Sequence, residues 1–141
     1  PIAKAKYEAI TWNKVEEVGF ITANDWNGLS PDGIILDEDS GLYKKSIEIK
    51  CPRGKNYIKY LLEDKIPDEY RWQVCNYFVV MEDLEELDFI IFNSDVTEDI
   101  TDLHIITVTR ADLQKDIDKA LDKLQGFKKD WDNLENILKT K

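Results

Sequence analysis

Ser30-Pro31-Asp32-Gly33-Ile34-Ile35-Leu36-Asp37, and after a short polar turn Leu42-Tyr43-Lys44-Lys45-Ser46-Ile47-Glu48-Ile49-Lys50-Cys51-Pro52, decide how this chain is read. Residues 29–37 read as a strand around Pro-Asp-Gly, with Ile34, Ile35 and Leu36 as its buried run. Residues 42–51 read as a second strand, ended by Pro52. Side chains alternate along a strand, so Ile47 and Ile49 face one way and Glu48 and Lys50 the other. With the turn centred near Asp39 and Ser40, pairing sets Asp32 opposite Ile47 or Glu48, at a Cβ separation of about 4.5–5.5 Å. Two carboxylates that close repel, and burial sharpens the conflict. A divalent cation between them removes it. Oxygen donors suit Mg²⁺ or Mn²⁺, and the Ile49 carbonyl is a third candidate ligand. Lys50 beside such an ion can orient and help deprotonate a water, or neutralise charge on a phosphorane-like transition state. These are the minimal parts for metal-assisted phosphodiester hydrolysis. An E-x-K triplet alone is common on solvated strands; the P-D-G before it and the C-P after it set this one apart.

Around this pair the chain reads as helix, strands, two helices, two strands, helix. Residues 1–18 read as a helix with Ile2, Ala5, Ala9 and Trp12 as its stripe, ended by Gly19. Residues 20–23 read as a short strand and 24–28 as a polar turn containing Trp26. Residues 55–64 and 68–81 read as helices, 87–93 and 103–109 as strands rich in Ile, Val, Phe and Thr, and 93–102 as an acidic loop. A last helix runs to about residue 139, with Leu113, Ile117, Ala120, Leu121, Leu124, Phe127, Trp131, Leu134 and Leu138 on its stripe. The pattern predicts an α/β fold with a mixed central β-sheet flanked by helices.

The 141 residues, 43% hydrophobic and 34% charged, are those of one globular domain. The longest apolar run, residues 77–81, is far too short for a membrane span, and the start lacks the apolar segment of a signal peptide. A cytoplasmic domain with no membrane partner is expected. The single histidine, His104, argues against His-based nuclease motifs and most catalytic triads, and is expected to be a strand residue with no catalytic role. Cys51 and Cys75 give no disulfide framework or zinc half-site and are expected to be small buried hydrophobes. The net charge of −10 lies wholly in the second half, because residues 1–60 are balanced at nine acidic and nine basic side chains. No whole-surface basic footprint for nucleic acid exists; a local groove or bound divalent cations can replace it.

The run S-P-D-G-I-I, then I-E-I-K-C-P, followed by Y-R-W-Q-V-C-N-Y at residues 70–77, resembles the phage lambda exonuclease (YqaJ) family of restriction-endonuclease-like PD-(D/E)XK nucleases. The resemblance extends over nearly the whole chain and implies a restriction-endonuclease-like core. It implies that Asp32 and Glu48 are metal carboxylates, Ile49 a carbonyl ligand, and Lys50 the catalytic lysine. Gln73 would be the glutamine of a Y-x-x-Q helix beside the active site, and Ser30 a residue that helps hold a terminal phosphate. It further implies a Mg²⁺-dependent exonuclease, with Mn²⁺ able to substitute. Such an enzyme digests double-stranded DNA from 5′ ends in phage-type recombination, in a bacterial or phage-infected cell. A phage single-strand annealing protein is the implied partner and a homotrimer the implied assembly. The family's first active-site helix carries a Glu that would fall just before Pro1, with an upstream arginine region that grips the 5′ phosphate. Residues 1–141 are therefore expected to be a single nuclease domain lacking the N-terminal part, with Glu8 the nearest substitute for that Glu.

Other residues admit two readings each. Tyr70, Gln73 and Tyr77 share one helical face, which could bind phosphate or stack bases, or simply face solvent. Arg53, Lys55 and Lys59 could track a DNA backbone or form a solvated helix end. Trp26 could contact DNA or fill a groove. The function has alternatives too: another PD-(D/E)XK endonuclease or nickase, or a catalytically weak DNA-binding module.

Overall fold

The computed structural model describes residues 1–24 and 27–140. Trp26, read above as a DNA-contact candidate, lies outside the described residues. Helix α1 (Ile2–Thr11) is followed by a hairpin of β1 (Ile21–Asn24) and β2 (Asn27–Leu29). Strands β3 (Gly33–Asp37) and β4 (Leu42–Lys50) then lead to α2 (Lys55–Glu63), a 3-10 turn at Asp68–Tyr70, and α3 (Arg71–Val80). Strands β5 (Glu86–Phe92) and β6 (Leu103–Thr109), a second 3-10 turn at Ala111–Leu113 and α4 (Gln114–Lys139) complete the chain. The main sheet runs β3-β4-β5-β6, with β3–β4 and β5–β6 antiparallel and β4–β5 parallel. This is the mixed α/β sheet with flanking helices that the residue pattern predicts.

Alternation in β4 and β5 divides the apolar side chains between two cores. Ile47, Ile90 and Phe92 face α1 and pack with Ala3, Tyr7, Val15 and Leu103. Leu87, Phe89 and Ile91 face the opposite way and pack with Tyr57 and Tyr60 of α2, with Val74, Cys75, Tyr77 and Phe78 of α3, and with Ile117 of α4. Each face buries its own row, as a sheet covered on both sides requires.

The first helix is shorter than its pattern suggests. It ends at Trp12, whose backbone is left-handed (φ 65°), and not near Gly19. Its buried residues are Ala3 and Tyr7, not the expected stripe; Ile2 and Trp12 are exposed. Beyond it, Glu16 exchanges two backbone hydrogen bonds with Ile34 (2.8 and 3.0 Å), so this segment lies extended along the outer edge of β3. The last helix departs as well. It is buried at Ile117, whereas Leu121, Phe127, Trp131, Leu134 and Leu138 remain exposed. Cys75 is buried, but Cys51, just past β4, is exposed. His104 is a strand residue as expected, its Nε2 2.6 Å from Asp64 Oδ1.

At Gly33 the start of β3 packs tightly between Val15 of the α1–β3 connection and Ile47 of β4. A Cβ there would stand 2.2 Å from Val15 Cγ1 and 3.1 Å from Ile47 Cγ1. Gly33→Ala is therefore expected to lose about 1–3 kcal/mol to overpacking. Urea unfolding measures this, and an unchanged midpoint would show that Val15 moves aside freely.

Candidate active site

Glu48 and Asp32 come together because β3 and β4 form a hairpin. Gly33 pairs with Ile47, so the residue before β3 stands beside Glu48. Asp32, exposed ahead of the strand, accepts a 2.7 Å hydrogen bond at Oδ2 from the Ile49 amide. Of the two partners the turn leaves open for Asp32, Ile47 and Glu48, the ladder selects Glu48, because a bulge between Ile35 and Leu36 shifts the pairing by one residue. The side chain of Ile49 packs against the α1 core, which leaves its main chain on the Asp32 side.

The surroundings of Glu48 differ from a solvated strand face. It is 4% exposed, roofed by α3. Gln73 Nε2 donates to Glu48 Oε1 at 3.0 Å, Lys50 Nζ stands 3.2 Å from the same oxygen, and the Tyr77 hydroxyl donates to Oε2. Burial holds the Glu48 carboxyl above its ordinary value, and the negative charge of Asp32 adds to this; the Tyr77 bond and Lys50 oppose it. The Tyr77 phenol is driven far above its ordinary 10 by burial and by Glu48, so it remains a donor throughout the neutral range.

Tyr77 is 2% exposed, which corrects its reading as a substrate contact. A hydroxyl enclosed by the sheet and committed to Glu48 has no surface to offer DNA; it fixes the carboxylate. Gln73 is an exposed residue at the rim of the site, with its amide on Glu48. Tyr70 does not present a stacking face to solvent: Lys50 Nζ lies 4.6 Å from its ring centroid. Sequence reasoning put Tyr70 on the right helix face but missed Lys50 as its neighbour, a contact that depends on how α3 sits over β4. Ser30 is exposed two residues before Asp32, and Arg53 is exposed in the loop after β4. Lys55 and Lys59 are exposed on α2, with Lys59 4.0 Å from Glu63. Glu8 lies away from this cluster's bonds, its carboxylate accepting from the Val15 amide at 3.2 Å.

Among the described residues, no three His, Cys, Asp or Glu side chains gather into a metal cage. The donor set at β3–β4 is two carboxylates, with Asp32 adding to the cost of charge on buried Glu48, and the Ile49 main chain beside them. That chemistry fits a hard cation that keeps several of its waters, such as Mg²⁺ or Mn²⁺.

On the other face of the sheet is a second buried acid, which the sequence reading did not single out. Asp88 of β5, 2% exposed, accepts from the Tyr7 hydroxyl and from Thr107 Oγ1, both at 2.6 Å, and lies 3.1 Å from Lys45 Nζ. Its signal was available in the E-L-D-F-I-I-F of β5: an acid at mid-strand in an otherwise apolar run.

A sequence profile of the YqaJ-like viral recombinase domain family matches residues 1–83. No curated protein sequence matches the chain. Among solved structures it is similar to an alkaline exonuclease from Laribacter hongkongensis, at 24% identity and a TM-score of 0.68, over 98% of this chain and 71% of that one. The same exonuclease in complex with dAMP matches at 24% identity and a TM-score of 0.67, over 98% and 70%. These likenesses establish the fold. Among the described residues, no helix is long and apolar enough to cross a membrane.

Proposed function

The chain belongs to the YqaJ-like viral recombinase domain family, and on that premise we propose that its β3–β4 site hydrolyses the phosphodiester backbone of double-stranded DNA from the ends. The observation that supports this most is Glu48. Burying a carboxylate is costly unless it is bonded and serves a purpose, and this one has three donors and a second acid beside it. Asp32, Glu48 and the Ile49 carbonyl would hold Mg²⁺ or Mn²⁺. When bound, such an ion lowers the pKa of a water and screens the phosphate. The chain's own side chains do the rest. Lys50 brings a positive charge to the place where the phosphate would accumulate negative charge. Gln73 and Tyr77 hold the two oxygens of Glu48 in one orientation. Ser30, ahead of β3, and Arg53, in the loop after β4, are both exposed and would meet the phosphate at a DNA end. Degradation in the 5′-to-3′ direction, a role in phage-type recombination beside a single-strand annealing protein, and a trimeric ring are the finer parts of the proposal.

The test is a linear duplex labelled at the 5′ or the 3′ end, set beside a covalently closed circle. Mg²⁺ or Mn²⁺ is expected to support cleavage. Ca²⁺, which prefers more ligands and looser geometry, is expected to block it, and excess EDTA to abolish it. The 5′ label should be released first and the circle should survive. Cutting of the circle would make the chain an endonuclease. DNA binding without cleavage under every divalent metal would make it a binding module. Full cleavage in EDTA would end the metal reading.

A further inference from the structure

The Lys50 ammonium stands between a carboxylate and an aromatic ring. One is Glu48 Oε1 at 3.2 Å; the other is the face of the Tyr70 ring, 4.6 Å from Nζ to centroid. The ring is held independently of the lysine. Its centroid lies 5.7 Å from that of Phe89 in a tilted contact, and 6.5 Å from that of Tyr60, edge to face. Phe89 is the residue paired with Glu48 across the β4–β5 ladder. The Tyr60 hydroxyl bonds Glu69, the residue before Tyr70, so α2 braces the 3-10 turn that carries the ring.

A lysine stem has many rotamers, and an ammonium tethered to one carboxylate oxygen still swings. A ring face attracts a cation through its quadrupole, more strongly when the pair is shielded from water, and the Lys50 side chain is only 24% exposed. Two attachments fix where Nζ stands. The ammonium has three donors and no acceptor; with one N–H directed at Glu48 and the ring face held by electrostatics, donor capacity remains for a phosphate oxygen or a water. We infer that Tyr70 is a positioning residue for the proposed cleavage: its ring aims the Lys50 ammonium into the site. The inference rests on the nuclease reading and deepens it.

The experiment compares the full chain with Tyr70→Phe and Tyr70→Leu. Tyr70→Phe keeps the ring and is expected to cleave within about twofold of the parent. Tyr70→Leu removes it and is expected to lower kcat about 3–30-fold, the span of a partly shielded cation–ring contact, with KM within about twofold. NMR supplies a readout independent of cleavage: the Lys50 ε-methylene protons should be shifted upfield by the ring in the parent and in Tyr70→Phe, and not in Tyr70→Leu. Thermal melting identifies any variant that fails to fold, and Tyr70→Phe then carries the comparison through its retained shift and kcat. Unchanged kcat in a folded Tyr70→Leu, or unchanged ε-proton shifts on removing the ring, overturns the inference. A parent that shows the shifts but cleaves nothing overturns the nuclease reading itself, and with it any catalytic use of the contact.

Discussion

A Glu48→Gln chain is expected to cut duplex DNA about 10²–10³-fold more slowly than the parent and to melt no lower at pH 7. Glutamine is the informative substitution because Glu48 is enclosed. Alanine would strand the Tyr77 and Gln73 donors, at roughly 1–3 kcal/mol for each buried group left unmatched, and confuse lost chemistry with lost fold. The pH dependence has a definite sign. The folded carboxyl sits above its ordinary 4.5, chiefly through burial. Between the unfolded and folded values the native state holds the proton more tightly, so metal-free stability falls as pH rises from about 4.5 through the raised value. Glutamine cannot ionise, so that fall should be absent from its melting profile. Mg²⁺ should raise the parent's melting temperature and leave the variant's unmoved. Lys50→Ala should lose cleavage by a similar factor while keeping the response to Mg²⁺. Cleavage at the parental rate by either variant would remove the β3–β4 site from contention.

The largest effect on stability should come from Asp88→Ala, on the face away from the site. Three groups converge on that buried carboxylate: the Tyr7 hydroxyl, Thr107 Oγ1 and Lys45 Nζ. Burial and Asp88 together push the Tyr7 phenol far above its ordinary 10, so it remains a donor. Lys45 keeps Glu86 Oε2 at 3.3 Å, so the loss falls on the Tyr7 and Thr107 hydroxyls left without their acceptor, about 3–5 kcal/mol for the pair. For a domain of this size that is a fall of roughly 10–15 °C in Tm. Asp88→Asn, which keeps an acceptor, should lose distinctly less. Urea and thermal unfolding decide it; a loss below about 1 kcal/mol for Asp88→Ala would mean the cluster is decorative.

Much of this architecture is legible in the residues. The alternation of Ile47 and Ile49 with Glu48 and Lys50 gives β4, and Pro-Asp-Gly marks the approach to β3. Turn position narrows the partner of Asp32 to Ile47 or Glu48, and a bulge between Ile35 and Leu36, which the pattern does not show, selects Glu48. What the pattern cannot carry is tertiary cover. Nothing local separates a Glu on a wet strand face from one roofed by α3, so the burial of Glu48 and of Tyr77 had to come from the structure. The first helix fails for a related reason. Its apparent stripe, Ile2 to Trp12, competes with the true one through Ala3 and Tyr7, and Tyr7 is chosen by Asp88, which lies far along the chain. In α4 the apolar repeat continues beyond Ile117, yet Leu121, Phe127, Trp131, Leu134 and Leu138 stay exposed, so periodicity alone overstates the core.

The β4–β5 ladder also bears on the order in which this protein assembles. The β3–β4 and β5–β6 pairings are each local, closed by a turn or a modest loop, whereas the parallel ladder pairs Glu48 with Phe89 across α2 and α3. Local hairpins form in microseconds, and long-range parallel pairing waits for loop closure. Asp32, Glu48 and Lys50 thus meet early on one hairpin, but Glu48 leaves water only when α3 and β5 dock against it. In the absence of metal, that docking should be faster in mild acid, where the carboxyl enters the core uncharged. During synthesis, a nascent chain extended only as far as Lys50 already carries both acids and the lysine, yet lacks the Gln73, Tyr77 and Tyr70 that hold them. The enclosed β3–β4 site therefore comes into being only once β5 has been made.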